Sequence, residues 1–487
     1  MPIDRRHLQQ RRLLREVFGI THLRPGQQQV IDAVLAGQDT LAIMPTGAGK
    51  SLCYQLPSLL LPGLTVVVSP LIALMKDQVD HLQARGLAVL QLHSQLTAEE
   101  AQSALAAVGQ LARAILFCTP ERLASPGFVA HLRQARVALV VIDEAHCIAQ
   151  WGHDFRPAYL ELAAAIDALH RPPVLALTAT ATEAVVADIR HQLERPDLQL
   201  IHSGVYRARL DYGVRQVTSE DDKQAAVRAL LAQHQGAGII YTATIKAAAT
   251  LHAQLLAEGH DCGLYHGKLR AAERHASQDA FMAGQRRLMI ATNAFGMGVD
   301  KPDIRFVLHL QVPASLDAYY QESGRAGRDG EAACATLLYL HADKRIQQFL
   351  LAHHYPAAQE LRAVYEALQQ LAPDGPVSAH RLRGMLDLGQ TNLRVSLRLL
   401  KEAGLLRQNR HLAYLPAAAR APPAHFVQLA QAYADKQERD RANLEAMVAY
   451  AHSARCRWSV LLEHYEELPA PGWRCGHCDN CRHPPAA

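Results

Sequence analysis

The sequence predicts an α/β protein with two tandem, doubly wound parallel-sheet lobes, followed by a mostly helical C-terminal part. Three observations indicate this fold class. Short β-branched runs alternate with helix-length amphipathic segments up to Leu340, and beyond that residue the strand pattern fades. In addition, 49% of the residues are hydrophobic and 20% are charged, which is typical of a globular chain. Apolar runs this short, spaced by helices, are typical of strands that a parallel sheet buries on both faces.

The candidate strands fall into two sets along the chain. Each set should form one parallel sheet, because helix-length segments separate its members. The first set is Thr65–Val68, Ala114–Cys118, Leu139–Ile142 and Val174–Leu177, and the second is Gly238–Tyr241, Arg287–Ile290, Arg305–Leu310 and Thr336–Tyr339. These sets place lobe 1 at residues 1–205 and lobe 2 at residues 206–342.

Charge and hydropathy restrict the class of protein. The net charge is only +4 at pH 7, so any contact with nucleic acid must come from local basic patches. Residues 1–6 lack the apolar core of a signal peptide, and the apolar stretch Leu59–Val68 is broken by Pro62 and Gly63. This stretch is shorter than the roughly 18 residues that a membrane span needs. The sequence thus predicts a cytoplasmic protein with no membrane as a partner.

A glycine-rich loop, PTGAGKS at residues 45–51, follows the apolar run Leu41–Met44. Its glycines let successive backbone N–H groups turn toward phosphate oxygens, with a helix N-terminus behind them. We expect Lys50 to reach the β- and γ-phosphates of a nucleotide and the Ser51 hydroxyl to hold Mg²⁺. The other expected contacts of this loop with the nucleotide are Thr46, Gly47 and Gly49.

A second apolar run, Val140–Ile142, ends in the acids Asp143 and Glu144. Open α/β sheets bind ligands at the carboxyl ends of their strands, so these carboxylates should face the same ligand as the glycine-rich loop. Asp143 is expected to hold Mg²⁺, and Glu144 to polarise the attacking water. Together, the loop and the acid pair predict a site that hydrolyses ATP.

Two threonines, Thr178 and Thr180, follow the last candidate strand of lobe 1. Their hydroxyls are suited to link the acid pair, by hydrogen bonds, to a surface that binds a nucleic-acid strand. A threonine-rich turn without a function is the ordinary alternative. Their place after the strand that carries the acids favours the coupling role.

Lobe 2 carries two arginines among glycines, Arg325 and Arg328, in QESGRAGRDG at residues 321–330. We expect Arg328 to contact the γ-phosphate from across a cleft and Arg325 to support it. Arginines in surface salt bridges are the alternative. Because the predicted finger comes from the other lobe, hydrolysis would require the two lobes to close.

In this order the motifs resemble those of superfamily 2 helicases, whose motor consists of two RecA-like lobes. Two further segments resemble the RecQ family of DNA helicases. The first, LRPGQ at residues 23–27, is similar to the adenine-recognition motif of that family. It implies that Gln27 reads the base edge and that Arg24 lies beside the ring. The family often has an aromatic residue where this chain has Ile20, which implies looser selectivity for adenine.

The second segment, QWGHDFRP at residues 150–157, resembles the aromatic-rich loop with which RecQ helicases sense single-stranded DNA. Stacking on an aromatic side chain is worth roughly 1–3 kcal/mol per base. The DNA contacts implied in this loop are Trp151, His153, Phe155 and Arg156. Residues 69–78 resemble a motif of the family that grips the DNA backbone, and this implies a further contact from Lys76.

Near the C-terminus four cysteines have the spacing C-x₁₈-C-x₂-C-x₂-C, namely Cys456, Cys475, Cys478 and Cys481. Four thiolates at these spacings fit tetrahedral Zn²⁺, with an iron–sulfur cluster or unliganded thiols as the alternatives. We do not expect His477 to be a ligand, since the cysteines already complete the site. The pattern resembles the RecQ zinc-binding subdomain, which would occupy residues 421–487 together with a short tail.

Residues 343–420 have the pattern of a winged helix-turn-helix. Ser378 should cap a short helix, and Gly389–Asn392 should form the turn. Leu393–Ala403 should then be an amphipathic helix. The segments expected to pair as a hairpin are Leu405–Arg407 and His411–Leu415.

The second helix of this region carries Arg394 and Arg398, which we expect to contact duplex DNA. A helical spacer that docks the zinc subdomain and a protein-binding surface are the two alternatives. In the best-known RecQ arrangement the zinc subdomain follows the motor directly and the winged helix comes after it. The order in this chain therefore differs from that arrangement.

The resemblance implies an ATP-dependent DNA helicase that moves 3′ to 5′ on single-stranded DNA and unwinds duplex or forked DNA in repair and recombination. The implied cofactors are ATP, Mg²⁺ and Zn²⁺. Two other functions stay open: an RNA helicase or remodeller with the same motor, and a nucleotide-switched DNA-binding scaffold. The complete set of hydrolytic residues argues against the scaffold. Single-stranded-DNA-binding proteins or other repair proteins would suit such an enzyme as partners, but no motif specifies one.

Overall fold

The computed structural model describes residues 5–149, 157–296, 299, 301–352, 356–386, 388–409, 413–417 and 421–484. Within these residues the chain forms two parallel sheets with helices on both faces, followed by a helical C-terminal region, as predicted. Apolar cores lie on both faces of each sheet.

Lobe 1 is built on a seven-stranded parallel sheet with the order β3-β4-β2-β5-β6-β1-β7. Strands β1, β2 and β6 are buried along their whole length, which explains their uninterrupted apolar sequence. The strands are β1 (Thr40–Ile43), β2 (Gly63–Val68), β3 (Val89–Leu92), β4 (Arg113–Cys118), β5 (Val137–Ile142), β6 (Val174–Thr178) and β7 (Gln199–His202). The helices are α1 (Arg5–Phe18), α2 (Gln27–Leu35), α3 (Leu52–Ser58), α4 (Ile72–Ala84), α5 (Ala98–Val108), α6 (Pro120–Leu123), α7 (Pro126–Leu132), α8 (Leu162–Ala168) and α9 (Glu183–Gln192).

Lobe 2 has a six-stranded parallel sheet with the order β10-β11-β9-β12-β13-β8. Three of its helices begin at a hydroxyl side chain that accepts a hydrogen bond from the backbone of the first turn: Ser219, Thr244 and Ser315. The strands are β8 (Leu210–Gln216), β9 (Ala237–Tyr241), β10 (Cys262–Tyr265), β11 (Leu288–Ala291), β12 (Ile304–His309) and β13 (Ala333–Tyr339). The helices are α10 (Glu220–Gln233), α11 (Ile245–Ala257), α12 (Ala271–Met282) and α13 (Leu316–Ser323).

All eight predicted strands are present and differ from the prediction by only a few residues at their ends. Five strands are not evident from the sequence. Three of these, β3, β7 and β10, contain a polar residue or glycine within only four residues and so show no clear apolar run, whereas a fourth, β1, coincides with the apolar run Leu41–Met44 that was not assigned as a strand. The fifth, β8, mixes polar and apolar residues because it is the edge strand of its sheet.

The region predicted as a winged helix contains helices and a small antiparallel hairpin. Its elements are α14 (Lys344–Ala352), α15 (Ala358–Leu371), α16 (Ala379–Arg383), α17 (Gln390–Glu402), β14 (Leu406–Gln408) and β15 (Tyr414–Pro416). The hydroxyl of Ser378 accepts a hydrogen bond from the Arg381 backbone N–H at 3.3 Å, which confirms the predicted cap. The turn predicted at Gly389–Asn392 is wrong, because α17 already begins at Gln390. Polar residues that favour turns also favour the first turn of a helix, and here the helix prevails.

The C-terminal region begins with a helix of 30 residues, α18 (Pro423–His452), and continues with α19 (Arg457–His464) and α20 (Asp479–Arg482). Phe426, near the start of α18, packs in the core of the winged-helix region. Met447 and Tyr450, near its end, pack in the core of lobe 2. This helix therefore connects the two bodies. Neither α18 nor any other helix in the described ranges is long and apolar enough to cross a membrane.

Candidate functional site

A cleft between the two lobes brings the predicted nucleotide-binding residues together. Its volume is about 740 Å³. Its walls include every residue predicted for nucleotide binding or hydrolysis, namely Arg24, Gln27, Thr46, Gly47, Gly49, Lys50, Ser51, Asp143, Glu144, Arg325 and Arg328. Residues that are far apart in sequence and belong to different lobes thus share one cavity.

The glycine-rich loop joins β1 to α3, and two of its glycines have backbone angles that favour glycine. Gly47 has a φ of 84° and Gly49 a φ of 76°. A side chain at position 49 would also lie 2.6 Å from the amide nitrogen of Gln27, so the position has no room for one. The loop therefore keeps its curl only with glycine at these two positions.

Lys50 lies at the end of this loop and faces the acid pair. Its Nζ donates a hydrogen bond to the carbonyl of Met44 at 3.2 Å. Burial lowers the pKa of Lys50, while the charges of Glu144 and Asp143 act to raise it. A cation held in this way by the residue that follows β1, and near the acid pair, is suited to contact a phosphate in the same cleft.

Asp143 and Glu144 follow β5, and their surroundings drive their pKa values apart. Burial, and then the charge of Glu144, raise the pKa of Asp143 to about 7. Burial acts to raise the pKa of Glu144 too, but the nearby charges of His146, Lys50 and the two arginines outweigh it and lower that pKa. The hydroxyl of Ser69 donates to Asp143 at 3.5 Å. A divalent cation would favour the ionised form of Asp143, so the pair fits a metal-bound nucleotide.

His146 lies beside Glu144 and is hydrogen-bonded to the threonines at the end of β6. His146 Nδ1 lies 3.4 Å from Glu144 Oε2 and 3.1 Å from the hydroxyl of Thr178. The Thr178 hydroxyl in turn donates to the carbonyl of Thr180 at 2.9 Å. Sequence reasoning assigned no role to His146, although the imidazole two residues after the acid pair is the group that makes this connection.

The two predicted arginines approach lobe 1 at the glycine-rich loop. A side chain at Gly47 would lie 3.2 Å from Cγ of Arg328, and one at Gly324 would lie 3.3 Å from Cβ of Thr46. The lobes are thus in contact. The segment that carries Arg325 and Arg328, which we call the arginine loop, packs against the glycine-rich loop. Arg325 is buried and its guanidinium lies close to Gly296.

Arg207, at the start of lobe 2, holds the arginine loop and was not found from the sequence. Its guanidinium donates to the carbonyls of Gly324 at 2.8 Å and of Ala326 and Gly327 at 2.7 Å. These partners lie more than a hundred residues away in the chain, and no motif surrounds Arg207. The local sequence therefore contains no signal for this role.

The two residues predicted to read the base are bonded to the glycine-rich loop. Arg24 donates to the carbonyl of Gly47. The amide of Gln27 donates to the carbonyls of Ala48 and Gly49 at 3.0 Å, and its oxygen accepts from the backbone N–H of Arg24 at 2.7 Å. The segment at residues 23–27 and the glycine-rich loop thus support each other directly. Ile20 also lines the cleft and offers no aromatic face.

The predicted DNA contacts fall into two groups. Trp151, His153, Phe155 and Arg156 lie outside the residues that the structure describes. The other three predicted residues are exposed: Lys76 on α4, and Arg394 and Arg398 on α17. Arg394 and Arg398 lie one turn apart on the same face of α17.

The four predicted cysteines form a compact cluster whose sulfur atoms lie within 4.8 Å of one another. The Cys475 and Cys481 sulfurs are 3.8 Å apart, and those of Cys478 and Cys456 are 3.9 Å apart. Four sulfurs placed about 2.3 Å from a zinc ion at tetrahedral angles lie about 3.8 Å from one another. The cluster therefore has the dimensions of a structural zinc site.

His477 lies beside this cluster but is engaged elsewhere. Its Nδ1 is 2.8 Å from Asp211 and its Nε2 is 3.0 Å from the hydroxyl of Tyr206. Both ring nitrogens are thus occupied by residues of lobe 2, in agreement with the prediction that His477 is not a ligand.

The zinc subdomain covers the exposed edge of the second sheet. Asp479 accepts a hydrogen bond from the backbone N–H of Val214 at 2.8 Å, and the indole of Trp458 donates to the carbonyl of Leu210 at 3.0 Å. Both of these partners belong to the edge strand β8. The subdomain thus satisfies strand groups that would otherwise be open to pairing with another chain.

Three family models match the chain. Residues 24–189 match a DEAD/DEAH box helicase, residues 222–330 a helicase conserved C-terminal domain, and residues 423–482 a RecQ zinc-binding domain. The first two matches correspond to the two lobes, and the third covers the cysteine cluster.

Two bacterial relatives align with most of the chain. It is 37% identical to the ATP-dependent DNA helicase RecQ of Synechocystis sp. over 493 residues, covering 98% of both chains. It is 39% identical to the probable ATP-dependent DNA helicase RecS of Bacillus subtilis, covering 80% of this chain and 78% of the relative. By contrast, it spans only 57% of the ATP-dependent DNA helicase RecQ of B. subtilis, at 43% identity.

Solved structures of helicases share the fold. The Mycobacterium smegmatis helicase Lhr, bound to single-stranded DNA and AMP-PNP, has a TM-score of 0.57 at 20% identity and matches 83% of this chain and 60% of its own. Dbp5 of S. cerevisiae, bound to RNA and ADP BeF3, has a TM-score of 0.56 at 18% identity and matches 69% of this chain and 89% of its own. At these identities both likenesses show the fold alone.

Proposed function

This chain belongs to the RecQ family of ATP-dependent DNA helicases, and on that premise we propose that it moves 3′ to 5′ on single-stranded DNA and unwinds duplex or forked DNA in repair and recombination. The proposed compartment is the cytoplasm. The DNA-helicase relatives favour DNA over RNA as the tracked strand. Conversion of hydrolysis into movement is the step that separates this function from a nucleotide-switched scaffold.

The observation that carries the proposal is the packing of the arginine loop of lobe 2 against the glycine-rich loop of lobe 1. Arg328 lies beside Gly47, in the same cleft as the acid pair. A γ-phosphate bound between the loops would contact groups from both lobes, so its loss on hydrolysis would weaken their contact. Closure and opening driven in this way would advance the lobes along a strand.

The residues of the cleft then have separate tasks. Lys50 and Arg328 would bind the terminal phosphate from opposite lobes, and Glu144 would orient and polarise the attacking water. Ser51 and Asp143 would hold Mg²⁺, which when bound neutralises charge on the phosphates. Burial beside Glu144 raises the pKa of Asp143 to about 7. A bound cation would offset the free-energy cost of ionising this buried carboxyl, so Asp143 is suited to the task.

Strand displacement on substrates of defined polarity tests the function. We expect wild-type protein with ATP to displace the partner strand from a duplex with a 3′ single-stranded tail, and not from one with a 5′ tail. Lys50→Ala should lose nucleotide binding, and Glu144→Gln should bind ATP and DNA but not turn over. If the wild type displaces strands no better than Lys50→Ala, the proposal of helicase activity is wrong. Stronger stimulation of ATP hydrolysis by single-stranded RNA than by single-stranded DNA would overturn the choice of DNA.

We further propose that Trp151, His153, Phe155, Arg156 and Lys76 contact the tracked strand, as the resemblance implies. Arg394 and Arg398 would contact duplex DNA. Support for the last two residues comes from their exposure on one face of α17, the second helix of a helix-turn-helix arrangement. Exposed arginines one turn apart are suited to neighbouring phosphates.

A further inference from the structure

Four residues of the zinc subdomain, His464–Glu467, lie where both lobes and the segment that joins them meet. They begin at the last residue of α19, and we refer to them as the 464–467 turn. Their contacts reach three separate parts of the motor: α13 in lobe 2, the interlobe linker, which we define as residues 202–205, and α9 in lobe 1. No motif in the sequence marks them.

The first half of the turn holds α13. His464 Nε2 lies 3.2 Å from a carboxylate oxygen of Asp317, and the ring of Tyr465 packs against the ring of Tyr320 with centroids 5.2 Å apart. Helix α13 ends at Ser323, two residues before Arg325. The turn therefore contacts the helix that leads directly into the arginine loop.

Glu467 holds the interlobe linker. Its carboxylate accepts a hydrogen bond from the backbone N–H of Val205 at 2.7 Å and lies 3.4 Å from the ring of His202. The carbonyl of the same Val205 accepts a hydrogen bond from the hydroxyl of Tyr320 at 2.6 Å. The linker is thus fixed from one side by the zinc subdomain and from the other by α13.

Glu466 reaches lobe 1. Its carboxylate accepts a hydrogen bond from the backbone N–H of Glu183 at 2.7 Å, at the first residue of α9. A negative charge is favourable at this end of a helix. Helix α9 packs against the short 3₁₀ turn Ala145–Ile148, which directly follows Glu144. Glu466 also has a φ of 60°, a left-handed conformation that a residue other than glycine keeps only where its surroundings hold it.

We propose that the 464–467 turn is a positioning element for ATP hydrolysis. It fixes α9, the linker and α13 relative to one another in the closed arrangement, in which Arg325 and Arg328 face Glu144 across the cleft. The inference rests on the roles proposed above for these three residues. The zinc subdomain on this view has a second task besides covering β8: it sets the geometry of a cleft whose walls, as far as the structure describes them, are built by the two lobes.

A variant with Glu466→Gly and Glu467→Ala tests the proposal. Glycine adopts a φ of 60° without strain, so the turn keeps its shape while both carboxylates are lost. The matched control is Glu463→Ala, because Glu463 is a carboxylate of the same subdomain that pairs with Arg455 of that subdomain. For the double variant we expect a kcat of DNA-stimulated ATP hydrolysis about tenfold below that of the control, which corresponds to about 1.4 kcal/mol.

Four further measurements separate positioning from a merely structural role. Zinc content, the thermal unfolding midpoint, the KM for ATP and the affinity for single-stranded DNA should all match those of the control. The inference is overturned if the kcat values of the double variant and the control agree, or if zinc content and the unfolding midpoint fall together with kcat. Wild type and Lys50→Ala, assayed alongside, report on the proposed function itself, so its failure would show as equal turnover in those two proteins.

Discussion

At the scale of single residues, Arg207 shows how much of this site depends on side chains outside the motifs. Its three hydrogen bonds end on carbonyls of the segment that contains Arg325. Burial lowers the pKa of the Arg207 guanidinium. An arginine nevertheless stays protonated in proteins. The guanidinium therefore stays charged across the physiological pH range and can hold the arginine loop in place.

Arg207→Met removes all three donors and keeps an apolar side chain of comparable reach. A hydrogen bond from a charged donor contributes about 1.5–3 kcal/mol, so losing one such contribution from the closed state should lower the kcat of ATP hydrolysis by about tenfold. Steady-state kinetics at saturating DNA measure the effect. Arg209→Met is the control, since the side chain of Arg209 forms an exposed pair with Glu331 at 3.5 Å. Equal losses in the two variants would contradict the role of Arg207.

At the scale of elements, a buried ion pair joins lobe 2 to the helices that follow it. Lys223 on α10 donates to both carboxylate oxygens of Asp343 at 3.0 and 3.1 Å, and both side chains are only 2% exposed. Asp343 directly precedes α14. Burial raises the pKa of Asp343 to about 6, although Lys223 acts in the opposite direction. Above that pH the carboxylate is charged although it is buried. The ion pair with Lys223 then offsets part of the free-energy cost of burying that charge.

Lys223→Met should lower the free energy of unfolding by about 3–5 kcal/mol at pH 8, because it leaves a buried carboxylate without its partner. The folded pKa of Asp343 lies above its unfolded value, so its protonated form is favoured in the fold. Without Lys223, which acts to lower this pKa, the carboxyl of the variant takes up its proton at a higher pH than the wild-type value of about 6, so the electrostatic part of the loss should be smaller at pH 5 than at pH 8. Chemical unfolding at pH 8 and pH 5 measures this. Lys344→Met, which breaks a more exposed pair with Glu445, should cost little at either pH.

Elements also show what the sequence can and cannot predict. The buried strands and the glycine-rich loop follow from local patterns, because burial on both faces or a left-handed backbone restricts the residue types that fit. Strand β8 and Arg207 could not be found, since their environment is made by Asp479, Trp458 and Gly324, all distant in the chain. The start of α17 was misplaced because turns and helix N-termini favour the same polar residues.

At the scale of the whole molecule, the zinc subdomain contacts both lobes and the segment that joins them. It covers β8 through α19 and α20, reaches both lobes through the 464–467 turn, and is joined to the winged-helix region by α18. The region predicted as a winged helix precedes the zinc subdomain in the chain, and that subdomain still packs on lobe 2. The long helix α18 spans the distance that this order creates.

Loss of the metal should consequently affect the whole chain. We expect elemental analysis to find one zinc ion per chain, and Cys478→Ser to lose it, because a small segment of this kind folds around its metal. The freed β8 edge should then promote aggregation, which light scattering would detect. His477→Ala removes a neighbouring side chain that bonds to Asp211 and Tyr206, so it should keep its zinc. Iron and sulfide in the purified protein, or zinc loss in His477→Ala equal to that in Cys478→Ser, would contradict this assignment of the ligands.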